Sequence, residues 1–302
     1  MSLTDQTADH DQGSPSLLDK APGRIGRVDL VVRDLDRTRR FYEETIGLAP
    51  MGREGPTLHL GAGGPALLSL THEPDADAPA PGSAGLFHTA FLLPSRRHLG
   101  AWLDHAMRRG VVIDGASDHR VSEALYLRDP EGNGVEVYAD RPSETWTVID
   151  DLVRMGSERL DLRELMRVMD RPWSGMPSDG CIGHVHLQVG DLAMADRFYA
   201  TLLGFQANEL VPSARFYGMG GYHHQIAANI WRSAGAGPRK PGRAGLAGFE
   251  IIMRDVACLT ALRTTVQSIR EDVQEDDDDL ILRDPWNTAV HVRSALGPAN
   301  PL

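Results

Sequence analysis

Residues Ile25 to Leu48, IGRVDLVVRDLDRTRRFYEETIGL, recur as Ile182 to Phe205, IGHVHLQVGDLAMADRFYATLLGF, with 11 of 24 positions identical and no gap. A second pair, Leu125 to Tyr138 (LYLRDPEGNGVEVY) and Leu280 to Arg293 (LILRDPWNTAVHVR), repeats at nearly the same offset. Such self-similarity constrains architecture ahead of any local propensity, because each copy must fold as the same supersecondary unit. Where the copies diverge at His, Glu and Tyr, the fold does not demand those residues, and the divergence points to chemistry.

The offset, near 157 in a chain of 302 residues, agrees with two units of roughly 150 residues. A hydrophobic fraction of 41% and a charged fraction of 24% suit a soluble globular protein with a buried core. No apolar run approaches the roughly 18 residues that span a bilayer, so no membrane partner is expected. The polar start, MSLTDQTADHDQGSPSLLDK, lacks the apolar segment of a secretory signal. Residues 1–22 are expected to be a disordered tail. Two cysteines, Cys181 and Cys258, make no disulfide framework, and a reducing cytoplasm is the natural setting. A net charge of −11 argues against a nucleic-acid surface, which needs a basic stripe. Part of that charge sits in EDDDD, Glu275 to Asp279, which lacks the spaced ligands and central Gly of a calcium loop and reads as a solvated turn.

Each half divides again. Ile25 to Val32 reads as a strand, and Asp34 caps a helix that ends at Gly47. Short strands follow at Thr57 to Leu60 and Ala66 to Leu70. The second module opens with the strand GLFHTAFLL, Gly85 to Leu93. A helix over Arg96 to Arg109 follows, then strands at Val121 to Arg128 and Val135 to Tyr138 flanking an Asn-Gly turn. The same order recurs from Cys181 and from Ala244. The class is α+β: four βαβββ modules, paired in sequence as residues 23–140 and 180–296. Residues 141–179 have no counterpart, and apolar spacing from Trp146 to Met169 predicts a helical linker.

The βαβββ repeat, with its FY-x-x-x-x-G and DP-x-G-N signatures, resembles the vicinal oxygen chelate superfamily of glyoxalase I, bleomycin-resistance proteins and extradiol dioxygenases. GLFHTAFLLP, SEALYLRDPEGNGVEVYADRP, IGHVHLQV and GGYHHQIAANIW resemble the two-domain catechol 2,3-dioxygenase-like proteins of bacilli in particular. The resemblance covers about Arg24 to Arg293.

It implies metal ligands on the first and last strands of paired modules. First-strand positions are Arg27, His88, His184 and Gly248; last-strand positions are about Leu67, Glu136, His224 and His291. His88, His184 and Glu136 then form a two-histidine, one-carboxylate set, which leaves three positions open and suits non-haem Fe(II). For one ion to be shared, module two must pair with module three across the linker. His186, two residues along the same strand face as His184, is expected to support the ligands rather than bind. His224 matches the family's acid–base histidine. Tyr126 and His119 match its substrate-contacting pair. His223 and His224 are adjacent, and on a strand only one of them would face the cavity.

These expectations amount to an Fe(II)-dependent extradiol ring-cleavage dioxygenase, with Mn(II) as the alternative ion. Its substrates would be a small aromatic diol and O2, and its natural state a homo-oligomer. The rivals are cleavage of a hydroquinone, a glyoxalase-like metal-dependent isomerase, and a non-enzymatic sequestering protein of the bleomycin-resistance type.

Overall fold

The computed structural model describes residues 17–269, 274–275 and 279–295. Both copies of the repeated stretch are built alike from their residues up. Asp34 accepts from the Arg37 backbone N–H and Asp191 from that of Met194, satisfying an orphan donor at each helix start. Each helix then widens into a π-turn, Tyr42–Ile46 and Asp196–Leu202. The wide turns bury Tyr42 and Tyr199 completely. Tyr42 donates to Asp129 Oδ2 at 3.2 Å, and Tyr199 to Asp284 Oδ2 at 2.9 Å. Those aspartates open the two repeated Asp-Pro turns and accept backbone N–H groups from Glu131 and Asn133, and from Trp286 and Thr288. The repeated FY and DP residues thus fasten consecutive modules to each other.

Modules one and four lie in one sheet and modules two and three in the other. One eight-stranded sheet runs, in spatial order, Gln274–Glu275, Asp279–Arg283, Ala289–Ser294, Gly245–Met253, Gly23–Val32, Ala66–His72, Thr57–Gly61 and Ala49–Glu54. It joins module four to module one through antiparallel pairing of Val28 with Phe249. The other runs Gln206–Val211, Ala214–Gly218, Ile226–Asn229, Cys181–Gln188, Gly85–Leu92, Gly134–Asp140, Ser122–Arg128 and Gly115–Asp118. It joins module three to module two, with His186 opposite His88 and His184 opposite Ala90. Neither sheet is one half of the chain. The pairing is the one a shared ion requires.

Strand alternation sorts side chains between core and site. On Gly134–Asp140, Val135, Val137 and Ala139 enter the main core, while Glu136, Tyr138 and Asp140 take the other face. On Cys181–Gln188 the pairing register shifts between Ile182 and His184, so Ile182, Val185 and Leu187 all reach the core. Gly183 is needed there, because a Cβ would overlap the Tyr138 hydroxyl. Each fully buried aliphatic side chain contributes about 1.5–3 kcal/mol, so the core faces hold the register that presents the polar face.

Two expectations are corrected. The linker is not a continuous helix: only Leu162–Arg167 is helical, while Thr147–Ile149 and Leu152–Arg154 form a hairpin. The β-branched run Thr147-Val148-Ile149 favours extended backbone. Asp150 and Asp151, at φ 53° and 60°, supply the turn between the strands. The expected tail of residues 1–22 lies outside the described residues up to residue 16, and beyond that it is ordered: Leu17–Lys20 makes a helical turn, and Leu18 and Ala21 are buried. Most of the EDDDD run lies outside the described residues. No helix among them is long and apolar enough to cross a membrane.

Candidate metal centre

His88, Glu136 and His184 come together on the second sheet, one from each of three neighbouring strands, with their ligand atoms within 4.8 Å of one another. Glu136 Oε2 lies 2.9 Å from His88 Nε2 and 3.2 Å from His184 Nε2, and the two Nε2 atoms are 3.3 Å apart. Donors bonded at about 2.1 Å and at right angles stand about 3.0 Å apart, whereas tetrahedral angles spread them to about 3.4 Å. The three edges, 2.9–3.3 Å, lie close to the range these figures span, so all three donor atoms are spaced to meet one ion. Among the described residues this is the one His/Cys/Asp/Glu group with such geometry.

The electrostatics agree. Burial alone would raise the Glu136 pKa, but the imidazoles of His184 and His88 outweigh it and hold the carboxyl well below its ordinary range. Burial lowers the His88 pKa against the pull of Glu136. An ionised carboxylate beside a neutral imidazole is the protonation state a divalent cation requires of its ligands. The Nδ1 of His184 is buried without a hydrogen-bond partner. Placed as it is among three converging donors, this set could hold a divalent metal.

Tyr126 stands directly across the strand pair from Glu136. Its hydroxyl is 2.7 Å from His119 Nε2, and His119 Nδ1 donates to the Gly156 carbonyl at 2.8 Å. That carbonyl fixes the tautomer: His119 Nε2 accepts, and Tyr126 donates. The linker therefore orients one site residue, which its lack of a sequence counterpart did not reveal.

His224 packs its ring 4.2 Å from that of His184. Burial, followed by the neighbouring His184 and His223, holds its pKa well below the ordinary imidazole value. The two histidines do not face opposite sides of a strand as expected; His223 lies behind His224, which alone packs closely on His184. Both histidines precede the strand Ile226–Asn229 in irregular backbone, and their Nδ1 atoms are 2.8 Å apart. Strand alternation does not apply to them. His186 lies 4.8 Å, ring to ring, from His88, and the Asn229 amide donates to its Nε2 at 3.0 Å.

An aromatic wall completes the surroundings. Phe87 lies against His88 and His186, Trp231 against Phe87 and His186, and Phe216 against His224. These residues, with Asp140, Tyr138 and Trp146 behind His223, were missed in the sequence. The double histidine of Gly-Gly-Tyr-His-His-Gln was the available signal. Among the described residues the first sheet has no equivalent group. Arg27 pairs with Asp29 and Arg293 with Glu250, so ion pairs occupy the face that carries His88, Glu136 and His184 in its partner.

A model of the Glyoxalase/Bleomycin resistance protein/Dioxygenase superfamily matches residues 24–137 and 181–274. Over 271 residues the chain is 36% identical to the catechol-2,3-dioxygenase of Bacillus subtilis (strain 168), covering 88% of this chain and 95% of that protein. Virulence protein STM3117 of Salmonella typhimurium is 26% identical over 130 residues, 38% of this chain and 82% of its own. Glyoxalase I from Zea mays shares the fold with a TM-score of 0.53 at 19% identity, over 90% of this chain and 92% of its own. The chain belongs to the Glyoxalase/Bleomycin resistance protein/Dioxygenase superfamily.

Proposed function

We propose that this protein is an Fe(II)-dependent extradiol ring-cleavage dioxygenase acting on a catecholic aromatic. The carrying observation is the convergence of His88, His184 and Glu136 with edges of 2.9–3.3 Å. It occurs in a chain 36% identical, over most of its length, to a catechol-2,3-dioxygenase. Bound there, Fe(II) supplies three adjacent open positions, redox activity and the Lewis acidity that lowers the pKa of a phenol hydroxyl.

The protein's own residues do the rest. All three ligands are at most 5% exposed, so bulk water is kept from the ion. Phe87, Phe216 and Trp231 offer flat apolar faces suited to an aromatic ring. Tyr126 gives its hydrogen to His119 and lies beside the Glu136 carboxylate, which places its oxygen at the ligand set to accept from a substrate hydroxyl. A proton taken up at His119 Nε2 reverses that bond and turns Tyr126 into a donor to an oxyanion. His224, with Nδ1 engaged by His223, has Nε2 left for exchanging a proton with the substrate.

Anaerobic reconstitution with Fe(II), Mn(II) or Zn(II), followed by oxygen-electrode and absorbance assays, tests this reading. Catechol should drive stoichiometric O2 uptake and a yellow ring-opened product with Fe(II). No uptake with any vicinal aromatic diol by iron-loaded protein would overturn it. Uptake with hydroquinone alone would move the cleavage to para-diols, and isomerase activity with a redox-inert metal would favour the glyoxalase-like alternative.

A further inference from the structure

Behind His224 lies a polar chain that the ligand set does not use. His223, wholly buried between Tyr222 and Trp146, places Nδ1 2.8 Å from His224 Nδ1 and Nε2 3.0 Å from Asp140 Oδ1. Tyr222 donates to the same Asp140 oxygen at 3.3 Å, and the Tyr138 and Tyr222 hydroxyls are 2.9 Å apart. The backbone of this segment is held as well, since the Asn208 amide donates to the carbonyls of both Tyr222 and His223 at 2.9 Å.

The direction of every bond follows from one end. Asp140 also lines a cavity of about 520 Å³ together with Arg24 and Cys181, so its side chain is not sealed in apolar surroundings. An ionised carboxylate only accepts. A single proton on His223 must then sit on Nε2, so at a pH where an imidazole is ordinarily neutral its Nδ1 is an acceptor. His224 must in turn donate from Nδ1, which leaves its Nε2 with a lone pair. Among the described residues no protein group hydrogen-bonds that Nε2.

We propose that Asp140 and His223 are positioning residues that fix the tautomer of His224, so that it presents an unprotonated Nε2 on the side of the ring away from His223. The chemical use of that lone pair rests on the dioxygenase reading; the tautomer does not. A base delivered in one tautomer avoids the loss that follows when an imidazole carries its hydrogen on the wrong nitrogen. Neither residue touches substrate, and each acts through the next ring.

The test is long-range ¹H–¹⁵N correlation on the full-length, metal-free chain labelled with ¹⁵N-histidine. At pH 8 an imidazole is ordinarily neutral, and without an ion the protein alone sets each tautomer. His224 should show a protonated Nδ1 and a bare Nε2, and His223 the reverse. His223→Phe, close in shape to the ring it replaces, should abolish the Nδ1-protonated preference of His224. Asp140→Ala should do the same. Asp140→Asn should restore it, because an amide oxygen can still accept from His223 Nε2. If His223→Phe does not fold, the two Asp140 variants decide alone. A protonated Nε2 on His224 in the wild-type chain, or an unchanged His224 pattern in Asp140→Ala, overturns the proposal. Because no turnover is read, a protein that failed to cleave diols would leave the tautomer result standing. An active dioxygenase with Nε2-protonated His224 would sink this inference alone.

Discussion

Replacing Glu136 with glutamine separates the two roles of this carboxylate. Without metal, Glu136 is buried and accepts from His88 and His184 at 2.9 and 3.2 Å. Its charge-assisted bonds are stronger than neutral ones, but burying an ion costs several kcal/mol. An amide keeps one acceptor and gains a donor that either neutral imidazole can take. The two effects oppose, so Glu136→Gln should change the stability of the metal-free protein by no more than about 1–2 kcal/mol.

With metal the balance is one-sided, because the substitution removes the sole anionic ligand of the set. Loss of groups that merely support ligands costs about 10–100-fold in affinity, so loss of a ligand should cost at least the upper figure. At a metal concentration 100 times the wild-type Kd, binding stabilises the wild type by about 2.7 kcal/mol and a 100-fold weaker variant by about 0.4 kcal/mol. For a protein of this size that corresponds to a rise in Tm of roughly 4 °C against less than about 1 °C. Anaerobic scanning calorimetry with and without Fe(II) measures both. An equal metal-induced rise in the two proteins would refute the reasoning, whatever their activities.

His224→Phe should retain iron at wild-type stoichiometry and lose most turnover with catechol; unchanged turnover would remove His224 from proton transfer. Tyr42→Phe and Tyr199→Phe each delete a buried hydrogen bond to a turn aspartate, worth about 1–2 kcal/mol. The two pairs share no partner, so their losses in denaturant unfolding should add; no loss from either would deny that the repeated FY and DP residues tie the modules together. Burial raises the Asp129 pKa above its ordinary value, against hydrogen bonds from Asn133, Glu131 and Tyr42 that lower it. The folded chain therefore keeps this proton to higher pH than the unfolded chain does. The resulting stability is complete below the ordinary aspartate pKa of about 4 and is lost as pH rises through the raised folded value. Unfolding free energies should fall for the wild type relative to Asp129→Asn across that window. Glu136, held low, has the opposite sign but is present in both proteins and cancels in the difference; a pH-independent difference would contradict the shift.

Much of this was legible in the sequence because the repeat supplied an internal comparison. His88 and Glu136 stand where module four has Gly248 and His291, and that contrast singled out the side chains that converge with His184 without a second protein. It also dictated which modules must pair, since His184 lies in a different half from its two partners. The shared residues were less transparent. Tyr42, Tyr199, Asp129 and Asp284 read as family signatures, yet their role as locks between sheets depends on a π-turn that periodicity does not register. The linker misled for a related reason: the apolar positions from Trp146 onward fit helical spacing, while the turn at Asp150 and Asp151 depends on left-handed backbone. The place of His223 behind His224 was missed because alternation was applied to residues that precede the strand. Gly156 and Trp146 could not have been found, as nothing local marks a linker carbonyl or indole as a neighbour of distant histidines.

A single ion held jointly by modules two and three should be visible in crystals of the full-length protein reconstituted anaerobically with Fe(II) and measured on both sides of the iron absorption edge. A single anomalous peak about 2.0–2.2 Å from His88 Nε2, His184 Nε2 and a Glu136 carboxylate oxygen is the expected result. Stoichiometric iron whose anomalous peak lies elsewhere, or touches only one of the three residues, would contradict it.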